Sequence, residues 1–446
     1  MAQTKTKEEI LSACQAQGVK FIELQFTDLL GQLKAVTIPH NKLESAIGNN
    51  VWFDGSSIEG FARIFESDMY LKLDLSTFAI LPWTQNNGTI TARFICDVYH
   101  PNGRPYESDP RYILKKQVQR AAQMGLVYYV GPELEFFLLK RVRDKVYPVI
   151  ADHAGYFDQS FGSSVELRKE MSLALQALQI DVETLHHEVA NSQHEIDFRY
   201  DDPIKTADNA VSFKYALKTL SAQHEMHATF MPKPFFGING SGMHVHQSLF
   251  SNGENTFYDP TDHHKLSKTA KKFIAGQLKH IKAMNAILNP TINSYKRLVA
   301  GYEAPVYITW GTTNRSALIR VPKTNPDNPA STRVELRCPD PTANPYLSFA
   351  VMLAAGLDGL ANETMIPIAT EENVYDLSAE EMNKRKIETL PADLRAALTA
   401  LKNDSVIRQV LGEDTYNKYH NIKINEWNNF CSAVTDWEKS NYLEQY

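Results

Sequence analysis

The stretch that most constrains this chain runs from Tyr128 to Lys140, YYVGPELEFFLLK. Val127, Tyr128, Tyr129 and Val130 are β-branched or aromatic and predict a strand, and Gly131-Pro132 is expected to break its ladder. After the break, Glu133 and Glu135 alternate with Leu134 and Phe136. Residues two apart on a strand share a face, so both carboxylates point one way and both apolar side chains the other. Two like charges side by side on a half-buried strand repel, and burying them unpaired is expensive. A hard divalent cation such as Mg²⁺ or Mn²⁺ compensates them through carboxylate oxygens, and plain solvation of an acidic strand face does so without one. The E-x-E pattern by itself leaves both readings open.

At 446 residues the chain exceeds one small core and predicts a large domain with a smaller one. A formal charge of −6, with no basic stripe or tail, excludes a general polyanion-binding surface. Cys14, Cys96, Cys338 and Cys431 form no C-x-x-C, so neither a disulfide framework nor a zinc site is indicated. MAQTKTKEEI lacks the apolar core of a signal peptide, and the apolar window Tyr346–Leu360 is too short to span a bilayer and carries Asp358. The expectation is a soluble, cytoplasmic protein.

Along the chain, a short helix over Lys7–Gln17 precedes strand-like runs at Phe21–Phe26, Gln32–Ile38, Tyr70–Leu73 and Thr89–Val98. This predicts a strand-rich N-terminal domain over 1–107. Asp109-Pro110 then starts a helix and opens a second domain over 108–446. In it strands (Val182–His187, His194–Tyr200) alternate with helices (about Ser164–Leu178, Asp202 to about Met226, Lys265–Ile287, Pro345–Leu360, Ala392–Asn403, Thr415–Lys439). The alternation suggests a helix-backed sheet or incomplete barrel.

Three further stretches carry chemistry. Glu188 and Glu195 flank the Asn191-Ser192 turn in HHEVANSQHEIDF, with Glu183 on the approaching strand. They face one site or line an ordinary hairpin surface. In FGINGSGMHVHQSL, Gly240 and Gly242 let backbone approach a ligand, Asn239 adds an amide, and His244 and His246 share a strand face. No Walker A loop is present, so any nucleotide is held another way. From Asn293 to Arg337, five arginines (Arg297, Arg315, Arg320, Arg333, Arg337) accompany Glu303 and Glu335, a fork-rich set suited to carboxylate and phosphate oxygens or to surface ion pairing. Arg333, Glu335 and Arg337 alternate on one face, a pattern closer to a charged wall than to a solvated edge.

These stretches, with FDGSSIEGF (Phe53–Phe61), ESDMYL (Glu66–Leu71), KRLVAGYEAP (Lys296–Pro305), NRSALIR (Asn314–Arg320) and RVELRCPDPTANPY (Arg333–Tyr346), resemble the type I glutamine synthetases over nearly the whole chain. The resemblance implies an α+β fold: a β-grasp N-terminal domain and a catalytic domain of antiparallel strands in an incomplete barrel backed by helices. It implies ATP-dependent ligation of ammonia to glutamate through γ-glutamyl phosphate. Two divalent ions, Mg²⁺ or Mn²⁺, are then expected on Glu135, Glu188 and Glu195 and on Glu133, His244 and Glu335. ATP is expected at Glu183, His246, Ser248, Arg315, Arg320 and Arg333. Glutamate is expected at Asn239, Gly240, Arg297, Glu303, Arg315 and Arg337, and ammonium at Asp54 and Asp68. By the same resemblance Asp54 is the base that deprotonates ammonium, Arg315 reaches the reacting γ-carboxylate or phosphate, and Glu303 is the flap residue that shields the acyl phosphate. The sites are expected between neighbouring chains of a dodecamer of two stacked hexameric rings.

The length and Arg63 resemble the shorter subgroup, which is controlled by feedback and a regulatory protein partner; Tyr375 lines up with a tyrosine that the longer subgroup adenylylates. The chain departs from the family pattern at Ala300, where proline is usual, at Trp310-Gly311-Thr312-Thr313, and at Asn191-Ser192, where Pro-Gly is common. Two other readings are a ligase for a larger amine and an inactive structural or regulatory relative. The Asp54 and Asp68 pocket argues against the first, and the filled ligand positions argue against the second.

Overall fold

The computed structural model describes residues 5–58, 60, 68–143, 145–148, 152, 154–158, 162–299, 304–314, 316–323, 325, 328–362 and 364–446. Arg63, Glu303, Arg315 and Ala300 lie outside the described residues. Among the described residues, six strands form a first sheet: β1 (Phe21–Thr27), β2 (Leu33–Pro39), β3 (Val51–Asp54), β4 (Asp68–Leu73), β5 (Ala79–Ile80) and β6 (Thr91–Tyr99). They are ordered β2-β1-β6-β4-β3, with β5 on β6; β1 and β6 are parallel and the other pairs antiparallel. Helix Lys7–Ala16, closed by a reciprocal Thr6–Glu9 cap, contributes Ile10 and Cys14 to a core shared with Ile22, Leu24, Met69, Leu71 and Phe94. This is the β-grasp unit.

The second sheet has ten strands among the described residues: β7 (Val127–Val142), β8 (Lys145–Pro148), β9 (Val182–His187), β10 (Gln193–Phe198), β11 (Met226–Thr229), β12 (Met243–Ser251), β13 (Glu254–Asn255), β14 (Tyr307–Gly311), β15 (Ala317–Arg320) and β16 (Val334–Leu336). Its main path is β14-β15-β16-β12-β7-β10-β9, and all pairs are antiparallel except β14 with β15. One face buries Leu134, Phe136 and Leu138 against helices through Phe213, Phe273 and Phe349. The other face carries the charged residues.

Gly131-Pro132 does not end the strand: β7 runs unbroken over 16 residues. The backbone N–H groups of Val130 and Leu138 both donate toward the β10 side, to Asp201 and Ser192. Pro132 lies an even number of residues from each, so its missing N–H faces that side too, in a gap beyond the end of the β10 ladder at Glu133–Asp197. The helix expected over Thr415–Lys439 is two helices, Glu413–Ser432 and Asp436–Tyr442, because Thr435 and Glu438 form a new capping box between them.

Among the described residues, polar joints at Arg111 and Asn344 help tie the sheets together. Buried Arg111, on helix Pro110–Gln123, bonds Asp74 and Asp97 from the first unit (2.7 Å each) and Asp208 from helix Pro203–Gln223 (2.9 Å). Asn344 Nδ2 donates to the carbonyls of Asp28 (3.2 Å) and Leu29 (3.3 Å). Deeper in the core, helices Lys268–Leu288 and Pro345–Ala361 touch backbone to backbone at Gly276 and Gly359. A Cβ on Gly276 would stand 2.2 Å from the Ala355 carbonyl oxygen and 2.7 Å from the Gly359 nitrogen. Gly276→Ala therefore forces two helices apart, at about 3 kcal/mol of stability. The expected result is a clearly lower urea midpoint; an unchanged midpoint would show that the crossing yields without strain.

Candidate active site

Strand register lines up three rows of side chains on the charged face. In the first, Arg320 stands opposite Glu335, Glu335 opposite His246, and His246 opposite Gly131. In the second, His244 pairs Glu133, Glu133 pairs Asp197, and Asp197 pairs Thr184. The third joins Glu135, Glu195 and His186. Successive rows are two residues apart on β7, so they lie side by side on one face.

Around Glu133, His246 Nε2 lies 2.7 Å away, and His244 Nδ1 lies 3.6 Å from both Glu133 and Glu335. Arg333 Nε donates to His246 Nδ1 (3.2 Å), which leaves Nε2 to carry the proton shared with Glu133. Burial opposes charge on both groups. Even so, Glu133 raises the His246 pKa, and the two imidazoles hold Glu133 well below the usual carboxylate range. Glu335 is braced by Arg320 Nη1 at 2.9 Å and Arg337 Nε at 3.2 Å.

The second cluster has too few cations. Burial, followed by Asp197, Glu135 and Glu133, pushes the Glu195 carboxyl far above its ordinary pKa. His186 is its nearest imidazole, 3.8 Å away and 3.7 Å from Glu188. Glu135 is held by donors from Gly242 N (3.0 Å) and Gln193 Nε2 (2.9 Å). Among the described residues, His186–Glu188–Glu195 and Glu133–His246–Glu335 each bring three ligand atoms within 4.8 Å of one another. Oxygen-rich donors with an imidazole, and at Glu195 carboxylates crowded beyond what their neighbours neutralise, fit a divalent cation such as Mg²⁺ or Mn²⁺. Behind the hairpin, buried Asp152 lies 3.0 Å from His187 and 3.2 Å from His194, and Arg168 bonds His194 at 2.9 Å, bracing the turn that presents Glu188 and Glu195.

Two clefts open on these rows. One, of about 750 Å³, is lined by Asn239, Gly240, Arg297, Arg320 and Arg337 together with Glu135, Glu188, Glu195, His244 and Glu335. The other, of about 510 Å³, is lined by Glu183, His246, Ser248 and Arg333. Glu133, Thr184 and Asp197 line both. Asp54 and Asp68 face each other across β3 and β4 and line neither cleft.

The glycines of the Gly-rich turn are required by packing. A Cβ on Gly240 would meet the Pro232 carbonyl at 2.2 Å, and one on Gly242 would meet Arg297 Nη2 at 2.5 Å. Arg297 donates to the carbonyls of Arg337, Cys338 and Pro339 as well as lining the larger cleft. His186, Gln193 and Asp197 were not singled out from the sequence. Asp197 alternates with Glu195 and was visible as the next residue on that face, whereas His186 and Gln193 depend on the hairpin register.

Residues 18–101 match the model for the glutamine synthetase β-grasp domain, and residues 107–442 match the glutamine synthetase catalytic domain. The chain belongs to the glutamine synthetase family. It is 51% identical to a glutamine synthetase from Thermotoga maritima over 98% of this chain and 99% of that one. It is 49% identical to one from Methanosarcina mazei over 99% of both. A GmaS/ADP complex superposes with a TM-score of 0.87 at 31% identity, covering 99% of this chain and 100% of that one. Plasmodium falciparum glutamine synthetase superposes with 0.88 at 26% identity, covering 98% and 99%. Glutamine synthetases generally depend on ATP and divalent metal, which agrees with the fit above.

If Glu195 sits among uncompensated carboxylates, Glu195→Gln should unfold at a higher temperature than the parent when both are metal-free. With Mn²⁺ at about 100-fold its dissociation constant, the parent should gain about 2.7 kcal/mol and the variant less. A variant less stable without metal, with an undiminished metal gain, would contradict this reading.

Proposed function

We infer that this chain joins ammonia to the γ-carboxylate of L-glutamate at the expense of ATP, giving L-glutamine, ADP and phosphate. The observation that carries the reading is the meeting of two clefts at Glu133, with the expected glutamate residues Asn239, Gly240, Arg297 and Arg337 in one and four of the six expected nucleotide residues in the other. Relatives named glutamine synthetase, 46–51% identical over nearly the full length, support it.

In the smaller cleft, Glu183, His246, Ser248 and Arg333 hold ATP, and Arg320 and Arg315 meet its phosphates. In the larger cleft, Asn239, Gly240, Arg297 and Arg337 orient glutamate so that its γ-carboxylate faces the γ-phosphoryl, a positioning role that dominates phosphoryl transfer. Two divalent ions would be held by Glu135, Glu188 and Glu195 and by Glu133, His244 and Glu335, supplying phosphate screening and polarisation. Arg315 then stabilises the γ-glutamyl phosphate, and Glu303 closes over it against water. Asp54 takes a proton from ammonium, with Asp68 completing the cation pocket, and the freed ammonia displaces phosphate.

Asp54 and Asp68 line neither cleft, although Trp52 beside Asp54 is 56% exposed. This supports a site built between neighbouring chains in a dodecamer of two hexameric rings, each chain divided at 107/108. Exposed apolar groups elsewhere, such as Ile368, Leu443 and Tyr446, also support a homo-oligomer. The chain belongs in the shorter, feedback-regulated subgroup, with Arg63 in the regulatory loop and a protein partner, and acts in the cytoplasm. No helix among the described residues is long and apolar enough to cross a membrane.

Rings mixed from Asp54→Ala and Glu335→Ala chains, each inactive alone, test the shared site and the reaction together. Ammonium-dependent phosphate release, matched by glutamine formed, should return to about a quarter of the parental rate if chains mix at random, since each shared site draws on two chains. Demonstrably mixed rings that stay inactive would place each site within one chain. A larger amine that outperforms ammonium in the parent would overturn the substrate.

A further inference from the structure

Gln193 directly follows the Asn191-Ser192 turn, is only 1% exposed and lines the larger cleft, yet it belongs to neither the metal set nor the substrate set assigned above. Its neighbours fix which way its amide points. Oε1 accepts from Ala190 N at 3.3 Å. Nε2 faces Glu135 Oε2 at 2.9 Å, the Gly240 carbonyl at 3.2 Å and Ser241 Oγ at 3.5 Å. Turned over, the amide would set its oxygen against a carboxylate and a carbonyl and leave its N–H groups facing a donor. One buried amide therefore bonds a metal-set carboxylate and the backbone of the glutamate turn at once.

Both partners are held tightly enough for that bridge to matter. Glu135 Oε2 also accepts from Gly242 N (3.0 Å), so two protein donors occupy this oxygen and Oε1 is the one left to a cation. On the far side of the turn, Ser241 N donates to the Pro232 carbonyl (2.8 Å) and Lys233 Nζ donates to the Ile238 carbonyl. Gln193 is itself anchored in the hairpin, because Glu188 N donates to its carbonyl (2.8 Å) and its own N–H donates to the Ala190 carbonyl (3.0 Å). A shift of the Glu135 carboxylate thus reaches Gly240 through a single amide.

We propose that Gln193 is a positioning residue that couples the two occupants of the larger cleft, the divalent cation on Glu135, Glu188 and Glu195 and the glutamate at Asn239 and Gly240. This rests on the assignment of both to that cleft. Whichever binds first settles the shared amide, so the second meets a carboxylate or a turn already in place. By linkage, each then raises the affinity of the other by the same factor. An amide that only closed the hairpin would leave the two affinities independent.

The test uses the full-length, assembled enzyme without nucleotide, dialysed against Mn²⁺ with and without L-glutamate. In the parent, saturating glutamate should tighten one ion, the one that Glu135→Ala removes, about tenfold. Gln193→Met keeps the length of the side chain and loses both donors. It should weaken that ion about tenfold and leave the ion on Glu133, His244 and Glu335 within about twofold of its parental affinity. The enhancement by glutamate should fall to about twofold or less. Gln193→Asn, too short to reach both acceptors, should do the same and serves if the methionine variant does not assemble. A weakened ion with the enhancement intact would overturn the proposal, as would equal weakening of both ions, unchanged affinities, or a parent whose ions ignore bound glutamate. Glutamate bound equally well by the parent and by Arg337→Ala would instead refute its place in this cleft, a distinguishable failure.

Discussion

The site depends on the repulsion among carboxylates that one face of the second sheet gathers. Glu133 and Glu135 share that face because they are two apart on β7, and antiparallel pairing brings Asp197 and Glu195 directly opposite them. In a half-buried setting such a group is expensive unless positive charge is supplied. Around Glu133 and Glu335 the protein supplies much of it through His244, His246, Arg320 and Arg337. Around Glu195 it does not, and that carboxyl is driven far above its normal range. The asymmetry fits a cluster arranged for a cation that arrives from solution.

Rigidity behind the site makes this arrangement specific. Leu134 and Phe136 alternate with the two glutamates and are fully buried, so β7 cannot slip by one residue without exchanging carboxylates for core. Asp152, His187, His194 and Arg168 brace the hairpin from its far side. Gly242 leaves room for Arg297, whose guanidinium would otherwise meet a Cβ at 2.5 Å. The clefts meet where Glu133, Thr184 and Asp197 line both, so ligands held in the two clefts would converge on a single charged row.

Much of this was legible in the sequence, and the misses have physical causes. The alternation of Glu133 and Glu135 and the His244/His246 pair are local patterns with period two, and the Glu188/Glu195 hairpin is a local turn whose two carboxylates, left open between a shared site and a plain surface, line the larger cleft. The three rows are not local. They depend on which strands become neighbours, and nothing in the sequence near Glu335 says that β16 pairs with β12. Pro132 misled because proline's missing N–H matters only where a neighbouring strand needs it, and the ladder between β7 and β10 has ended there. Gly240 and Gly242 were read as letting backbone approach a ligand; Gly240 lines the larger cleft, and a Cβ on either glycine would also meet Pro232 or Arg297. Thr435-x-x-Glu438 was a readable capping signal inside an apparently continuous helix.

On the assignment proposed above, the rows form two separate divalent-cation sites of distinct composition, one centred on Glu135 and Glu195 and the other on Glu133 and Glu335. Equilibrium dialysis of metal-free enzyme against Mn²⁺, with bound metal counted per chain, tests it most directly. The parent should bind two ions per chain, Glu135→Ala and Glu335→Ala one each, and the double variant none. Parental stoichiometry in both single variants would contradict the claim.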